Sequence, residues 1–278
     1  MTKLFVAATD MSARGDRALR RAFRLAAQQG ARVVVCHVVD DAPPADIVAG
    51  MKTASRAALE RFTQDIAGDV PCEIIVDTGD PTADLVALVT ERRPDLLVMG
   101  THRPRPFLDA LRETTSQRIV RLTPCPVLIV ADRVDHDYDT VLGATDFSPA
   151  STAAMQEAAT LAPGAAILPL HAFHVPFSGL MSASGQGVGE IELSFRQEAE
   201  EEDRRWRDIT PLPEQCAQTL IQPGSVLMVL TEQIRAARAQ LVTAGAHGRV
   251  GGARALLGSV ATDLLRAPPC DVLISRPH

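Results

Sequence analysis

Apolar and polar residues along the chain follow two alternating rhythms. Short apolar runs read as strands, and between them apolar positions recur roughly every three or four residues, the period of a helix with one buried face. In the N-terminal part Leu4–Ala8 reads as a strand. Ser12 can then cap a helix carrying Ala18, Phe23, Leu25 and Ala26 among arginines and ending at Gly30. A strand over Arg32–Val39 follows, then a break at Pro43 and Pro44 and a helix from Ile47 to Ile66. Cys72–Val76 leads through Thr78-Gly79-Asp80-Pro81 into a helix that stops before Pro94, with Pro81 in the first turn, where its missing N–H is not needed. Leu96–Met99, a loop, a helix over Thr114–Leu122 and a strand over Val127–Val130 complete the series. Strand alternating with helix predicts βαβ units and a mostly parallel sheet.

The series then begins again. LFVAATDMS (4–12) returns as TVLGATDFS (140–148), 136 residues on from Asp10 to Asp146. VVVCHVV (33–39) returns more loosely as ILPLHAF (167–173), 134 residues on. DLLVMGTH (95–102) and TPCPVLIV (123–130) return as QLVTAGAH (240–247) and PPCDVLIS (268–275), each 145 residues on. Repetition in order at near-constant spacing marks a duplicated domain, with expected bounds 1–135 and 136–278 and a polar, charged link, ADRVDHDYDT (131–140). The widening of the spacing puts about eleven extra residues between the second and third strands of the second copy, where the Gly/Ser-rich SGLMSASGQGVG (178–189) reads as a mobile loop. Ser148 and Pro149 open that copy's first helix, and Pro163 and Gly164 close it. The expected fold is α/β. It comprises two doubly wound five-stranded parallel-sheet domains of the flavodoxin or Rossmann kind, strand order 3-2-1-4-5, with ligands at the carboxyl ends of strands 1 and 4. Val127–Val130 and Val272–Ile274 are apolar edges and are expected to pair antiparallel, joining the copies through an internal pseudo-two-fold.

Composition narrows the function classes. The 278 residues are 46% hydrophobic, 22% charged and 4% aromatic, the make-up of a globular protein with an aliphatic core. The formal net charge of −6 divides into about −1 over residues 1–138 and −5 over 139–278, so neither half has the basic excess of a nucleic-acid binder. No run reaches the ~18 apolar residues of a membrane helix. MTKLFVAATD is too short an apolar start for a signal peptide, so a cytoplasmic protein without a membrane partner is expected. Five cysteines without C-x-x-C spacing argue against a disulfide framework or a structural zinc. Cys36, Cys72, Cys125, Cys216 and Cys270 lie in or beside apolar runs and are expected to be small buried hydrophobes.

The chemistry concentrates in AGAHGRVGGARALLGS, where Gly245 and Gly248 are followed, after nine residues, by Gly258 and Ser259 at the start of an apolar helix. Phosphate oxygens need backbone N–H donors that can approach closely, and glycine removes the Cβ in the way. A helix start adds unpaired N–H groups and the positive end of the macrodipole. Ser259 can add a hydroxyl donor, and Arg249 a charged one. The loop is neither a Walker A sequence nor a G-x-G-x-x-G after a first strand, so a dehydrogenase reading is poor.

G-x2-G-x9-G-[ST] after an apolar strand, together with T-D-x-S after strand one, resembles the universal stress protein family. The resemblance covers essentially the whole chain, once per copy. It implies a tandem member with five-stranded α/β domains, frequent ATP binding, and dimers joined through the last strand. By that resemblance Asp146 would hold the ribose or adenine end, Ala172 would line the adenine pocket, and Gly245, Gly248, Gly258, Ser259 and Val260 would surround the phosphates. ATP is the implied cofactor, with Mg2+ and the choice among ATP, ADP and AMP left open. The N-terminal copy departs from the pattern. Arg103 and Glu113 replace two of the glycines, Pro104 and Pro106 each remove a donor, and Glu113 would set a carboxylate near the phosphates. Asp10, Ser12, Val38 and Thr114 keep the expected types. Arg103, Arg105 and Arg112 can hold another anion or form a solvated basic loop.

His102 and His247 occupy equivalent loop positions, where each can touch a phosphate, act as a base, or make a structural hydrogen bond. His37 and His171 on strand two read as satisfied core histidines. The acidic run Glu198–Asp203, with Arg204, Arg205 and Arg207, reads as a solvated helix face. Three function classes stay open: a nucleotide-binding stress-response module using the C-terminal copy, a slow ATPase or nucleotidyl transferase, and an interaction protein with a relictual loop. The enzyme reading lacks a lysine near the loop, since the only two are Lys3 and Lys52.

Overall fold

The computed structural model describes residues 2–101, 113–174, 188–247 and 257–277. The first copy runs β1 (Leu4–Ala8), α1 (Ala13–Gln29), β2 (Arg32–Asp40), α2 (Ala45–Ile66), β3 (Cys72–Gly79), α3 (Pro81–Arg92), β4 (Leu96–Gly100), α4 (Thr115–Leu122) and β5 (Val127–Val130). The second runs β6 (Thr140–Ala144), α5 (Pro149–Leu161), β7 (Ala166–Phe173), α6 (Val188–Ile209), β8 (Leu220–Pro223), α7 (Val226–Ala237), β9 (Leu241–Gly245), α8 (Ser259–Arg266) and β10 (Asp271–Ser275). Helix ends follow local chemistry. The Ser12 side chain accepts from the Arg14 and Gly15 amides, Asp80 caps α3 ahead of Pro81, Ser148 caps α5 ahead of Pro149, and Gly30 closes α1 in the left-handed region. Of the extra residues expected between the second and third strands of copy two, 175–187 lie outside the described residues, and the last two of SGLMSASGQGVG begin α6.

The strands form one ten-stranded sheet in the order β3-β2-β1-β4-β5-β10-β9-β6-β7-β8. Each copy contributes a parallel 3-2-1-4-5 half. The two halves meet where Val272, Leu273 and Ile274 pair antiparallel with Ile129, Leu128 and Val127. Both sheet faces are covered: Phe5 and Ala7 of β1 point into one apolar cluster, Leu4 and Val6 into the other. The last strands, which the resemblance makes a dimer seam, are here consumed within one chain.

A buried polar network reinforces that seam, and the hydrophobic pattern gives no sign of it. Arg21 of α1 and Asp271 of β10 are both fully buried, with the guanidinium Nε 3.2 Å from the carboxylate. Tyr138 donates to the same Asp271 oxygen at 2.6 Å, and the Ala131 and Asp132 amides donate to the other at 2.8 and 3.0 Å. The Arg21 guanidinium lies 4.2 Å over the Tyr138 ring and also donates to the His136 carbonyl at 2.8 Å. The charged link between copies is thus folded onto both of them. Burial, followed by the neighbouring Asp271 carboxylate, pushes the Tyr138 phenol well above its ordinary value. A raised folded-state value favours the neutral form. The resulting stability is present below pH ~10, the ordinary phenol range, and is lost as pH rises above it. Tyr138 is the sole tyrosine. Phenolate absorbance at 295 nm is therefore expected to stay flat until alkaline unfolding and to rise with it. A separate titration near the ordinary value in the folded protein would contradict the buried assignment.

The cysteines correct one expectation. Cys36 and Cys270 are buried, but Cys72 is exposed and Cys125 and Cys216 are half-buried. Cys72 stands at the start of β3, a sheet edge whose first residues face solvent. Burial pushes the Cys36 thiol up to about 12.

Candidate functional site

Each copy carries a cavity at the carboxyl ends of its first and fourth strands, as a doubly wound sheet requires. In both copies the T-D-x-S segment builds the same turn. Asp10 Oδ1 accepts the Ser12 amide at 3.0 Å, and Asp146 Oδ1 accepts the Ser148 amide at 3.1 Å. The residue between, Met11 or Phe147, is left-handed, with φ 61 and 63 respectively, a conformation with an intrinsic cost for a residue other than glycine. Thr9 and Thr145 accept the amides of these residues at 2.9 Å. His37 Nδ1 and His171 Nδ1 each bond the carbonyl of that threonine at 2.9 Å, so both histidines are satisfied at that nitrogen. Burial would raise the Asp10 carboxyl, but the Ser12 hydroxyl and amide together hold it below the usual carboxylate value.

The C-terminal cavity, about 200 Å³, brings together Asp146, Ala172, Gly245, His247, Gly258, Ser259 and Val260. Gly248 and Arg249 fall outside the described residues, as do His102, Arg103, Pro104, Arg105, Pro106 and Arg112. Sequence reasoning missed Thr145, Ser151, Val226 and Leu230 in the same lining. Val226 and Leu230 stand four apart on α7, a spacing that could have shown them on one helix face. Phe147 stacks on His171 at 4.5 Å and meets Trp206 at 5.5 Å, forming an aromatic wall behind the Asp146 turn.

The glycines have different roles. A Cβ on Gly245 would stand 2.8 Å from the Ala150 carbonyl carbon, and one on Gly100 would stand 2.6 Å from the Arg14 carbonyl oxygen. These first glycines let α5 and α1 pack against the sheet. Gly258 is the N-cap of α8 at φ −64, an angle open to any residue, and among the described residues no side chain caps that helix. Its amide clasps the Ala246 carbonyl at 2.8 Å, holding the helix start at the cavity, and Ser259 is exposed there.

The N-terminal cavity, about 550 Å³, is lined by the equivalent positions, including Asp10, His37, Val38 and Gly100. Its helix start differs. Thr114 and Gln117 form a complete capping box on α4, the Gln117 side-chain Oε1 accepting the Thr114 amide at 2.8 Å. The Gln117 amide group then donates across the seam to the Thr262 carbonyl at 2.8 Å. Glu113 is held by Arg121 in a two-pronged pair at 2.8 and 3.0 Å, so its carboxyl lies below the usual range and its charge is balanced.

Comparison with known proteins agrees with this architecture. A universal stress protein of Mycobacterium tuberculosis is 29% identical over 235 residues, covering 80% of this chain and 74% of the relative. The crystal structure of a universal stress protein from Archaeoglobus fulgidus superposes with TM-score 0.71 at 18% identity, covering 99% of this chain and 96% of that one. A universal stress protein solved in complex with cAMP, 26% identical, covers 46% of this chain and 97% of its own, with TM-score 0.40. Among the described residues no helix is long and apolar enough to cross a membrane. The universal stress protein family model matches residues 1–131 and again 137–276. With that double match, the same strand order in both halves and the T-D-x-S turn built twice, the chain belongs to the universal stress protein family, two copies in tandem.

Proposed function

We propose that the C-terminal copy, residues 136–278, binds an adenine nucleotide, ATP foremost, and that the chain is a cytoplasmic stress-response module whose nucleotide occupancy biases partner docking. The reading is carried by the α8 N-terminus, which has no side-chain cap among the described residues and opens onto the cavity that also holds Asp146. Uncapped amides and the positive end of the macrodipole suit a phosphate, and a carboxylate acceptor suits ribose hydroxyls or an adenine amino group. In the first copy, residues 1–135, the corresponding helix start has the Thr114 and Gln117 amides taken up in a capping box. Hydrolysis is not part of the proposal: Lys3 pairs with Gln29 and Lys52 with Asp77, both in the other copy. An assembly of two whole chains would need a surface other than the last strands, which already pair internally.

Titration of the full chain with ATP, followed through Trp206, tests this. Trp206 is the only tryptophan, and it contacts Phe147 beside Asp146. Saturable binding with one site is expected, weakened about tenfold or more by Asp146→Ala, the scale of a lost hydrogen bond to a charged group. It is expected to be unchanged by Asp10→Ala. Absence of saturation at millimolar ATP, by fluorescence and by equilibrium dialysis, would remove the reading.

A further inference from the structure

Helix α8 is only eight residues long, and among the described residues it has no side-chain cap of its own. Backbone ties place its start instead. The Gly258 amide donates to the Ala246 carbonyl at 2.8 Å, and the Thr262 amide donates to the Gly258 carbonyl at 2.9 Å. A further tie comes from the other copy. Gln117 of α4, 2% exposed, donates from its side-chain amide to the Thr262 carbonyl at 2.8 Å. Its Oε1 is occupied as well, accepting the Thr114 amide at 2.8 Å. A buried amide engaged through both oxygen and nitrogen is locked in one orientation. Ser259, Val260 and Ala261, between Gly258 and Thr262, line the second cavity. At the far end of α4, the Arg276 guanidinium donates to the Val120 and Arg121 carbonyls at 3.0 and 2.8 Å, so that helix is tied to the second copy at both ends.

Gln117 and Thr262 are equivalent positions, 145 residues apart, the offset of the last repeated strand. Equivalent positions that meet across a two-fold lie beside its axis, where identical copies would present the same residue twice. The tandem chain presents two different residues there, and the hydrogen bond runs one way, from the first copy to the second. We infer that Gln117 is a positioning residue for the second copy's site: the first copy supplies the hydrogen bond that fixes the α8 N-terminus, and the second copy alone does not hold its site complete. The inference rests on the reading of that cavity as an adenine-nucleotide site. Amides that receive a phosphate have to be held within about half an ångström of the productive place, and a locked neighbouring side chain gives that support.

Equilibrium dialysis of the full chain with labelled ATP tests the inference. Gln117→Met, close in volume and uncharged, removes the bridge and is expected to weaken ATP binding about three- to tenfold, the scale of one net hydrogen bond. Thr114→Ala weakens the α4 cap but keeps the bridge. It is expected to lower the melting midpoint while leaving ATP affinity within about twofold. Gln117→Glu separates the two roles by pH. The introduced carboxyl is buried and titrates above its ordinary ~4.3. Ionised at pH ~8.5 it still accepts the Thr114 amide but cannot donate to Thr262, whereas protonated at pH ~6 it does both. Its affinity relative to wild type at the same pH is expected to fall about threefold or more at the higher pH and to return to within about twofold at the lower. A residue acting only as the α4 cap would leave wild-type affinity at both. Circular dichroism checks folding, and if Gln117→Met fails to fold, the pH contrast in Gln117→Glu decides. Saturable wild-type binding that is unchanged in Gln117→Met, or weakened equally in Thr114→Ala, would overturn the inference while the ATP reading stands. Absence of saturable ATP binding to wild type would overturn both.

Discussion

Asp271→Ala is expected to destabilise the chain by ~3–5 kcal/mol, the cost of stranding one member of a buried ion pair. The carboxylate takes four hydrogen bonds, from Arg21, Tyr138, Ala131 and Asp132. Its removal leaves the Arg21 guanidinium charged and fully buried, held only by the His136 carbonyl and the Tyr138 ring. One guanidinium nitrogen, Nη2, already lacks a partner among the described residues, so the site has no spare acceptor to offer. In a thermal melt the loss should lower the midpoint by on the order of 10 °C. Replacing both partners, Arg21→Met with Asp271→Leu, should cost less than either single change, because no uncompensated charge remains. If the single variants melted like wild type, the pair would be irrelevant to the seam.

Gly245→Val should cost on the order of 3 kcal/mol, the upper range for overpacking a filled interior. Its Cβ would meet the Ala150 carbonyl carbon at 2.8 Å and the Ala150 Cβ at the same distance. A helix backbone cannot rotate out of the way as a side chain can, so α5 must move off β9. The Asp146 turn opens α5, and nucleotide affinity should therefore fall together with stability. At Gly258 the expectation reverses: its φ suits any residue, so Gly258→Ala should leave the melt within about 1 kcal/mol of wild type. Denaturant curves on the two variants separate packing from ligand contact. Equal stability loss at both positions would refute the division of roles.

Most of the architecture is visible in the residue pattern because it follows simple periodicities. β1 alternates between two apolar clusters, Ser12, Asp80 and Ser148 announce helix starts, and the apolar VLIV and DVLIS runs announce edges that have to be paired. The seam's polar network is hidden for the opposite reason. Arg21 sits among other arginines of α1, and Asp271 looks like a polar boundary before an apolar run. Only tertiary packing buries them together. Site residues were legible as positions but less so as roles. Gly245 reads equally well as a phosphate contact or as room for a helix, and the structure shows the room. The Asp146 carboxylate reads in the sequence as a candidate ligand group, and its bond to the Ser148 amide shows that it fixes the turn. The capping box on α4 combines with the intact T-D-x-S of the first copy in a way no single motif encodes.

The antiparallel seam also sets an order of events during synthesis. β5 is complete by residue 130, whereas its partner on that side is residues 271–275, which leave the ribosome only after the rest of the second copy's strands. Throughout translation of the second copy the first would carry an open Val-Leu-Ile-Val edge, a template for pairing with neighbouring nascent chains. Premature termination between residues 130 and 271 thus yields a folded-looking half with an unguarded strand, and such truncated products should aggregate where the full chain stays dispersed.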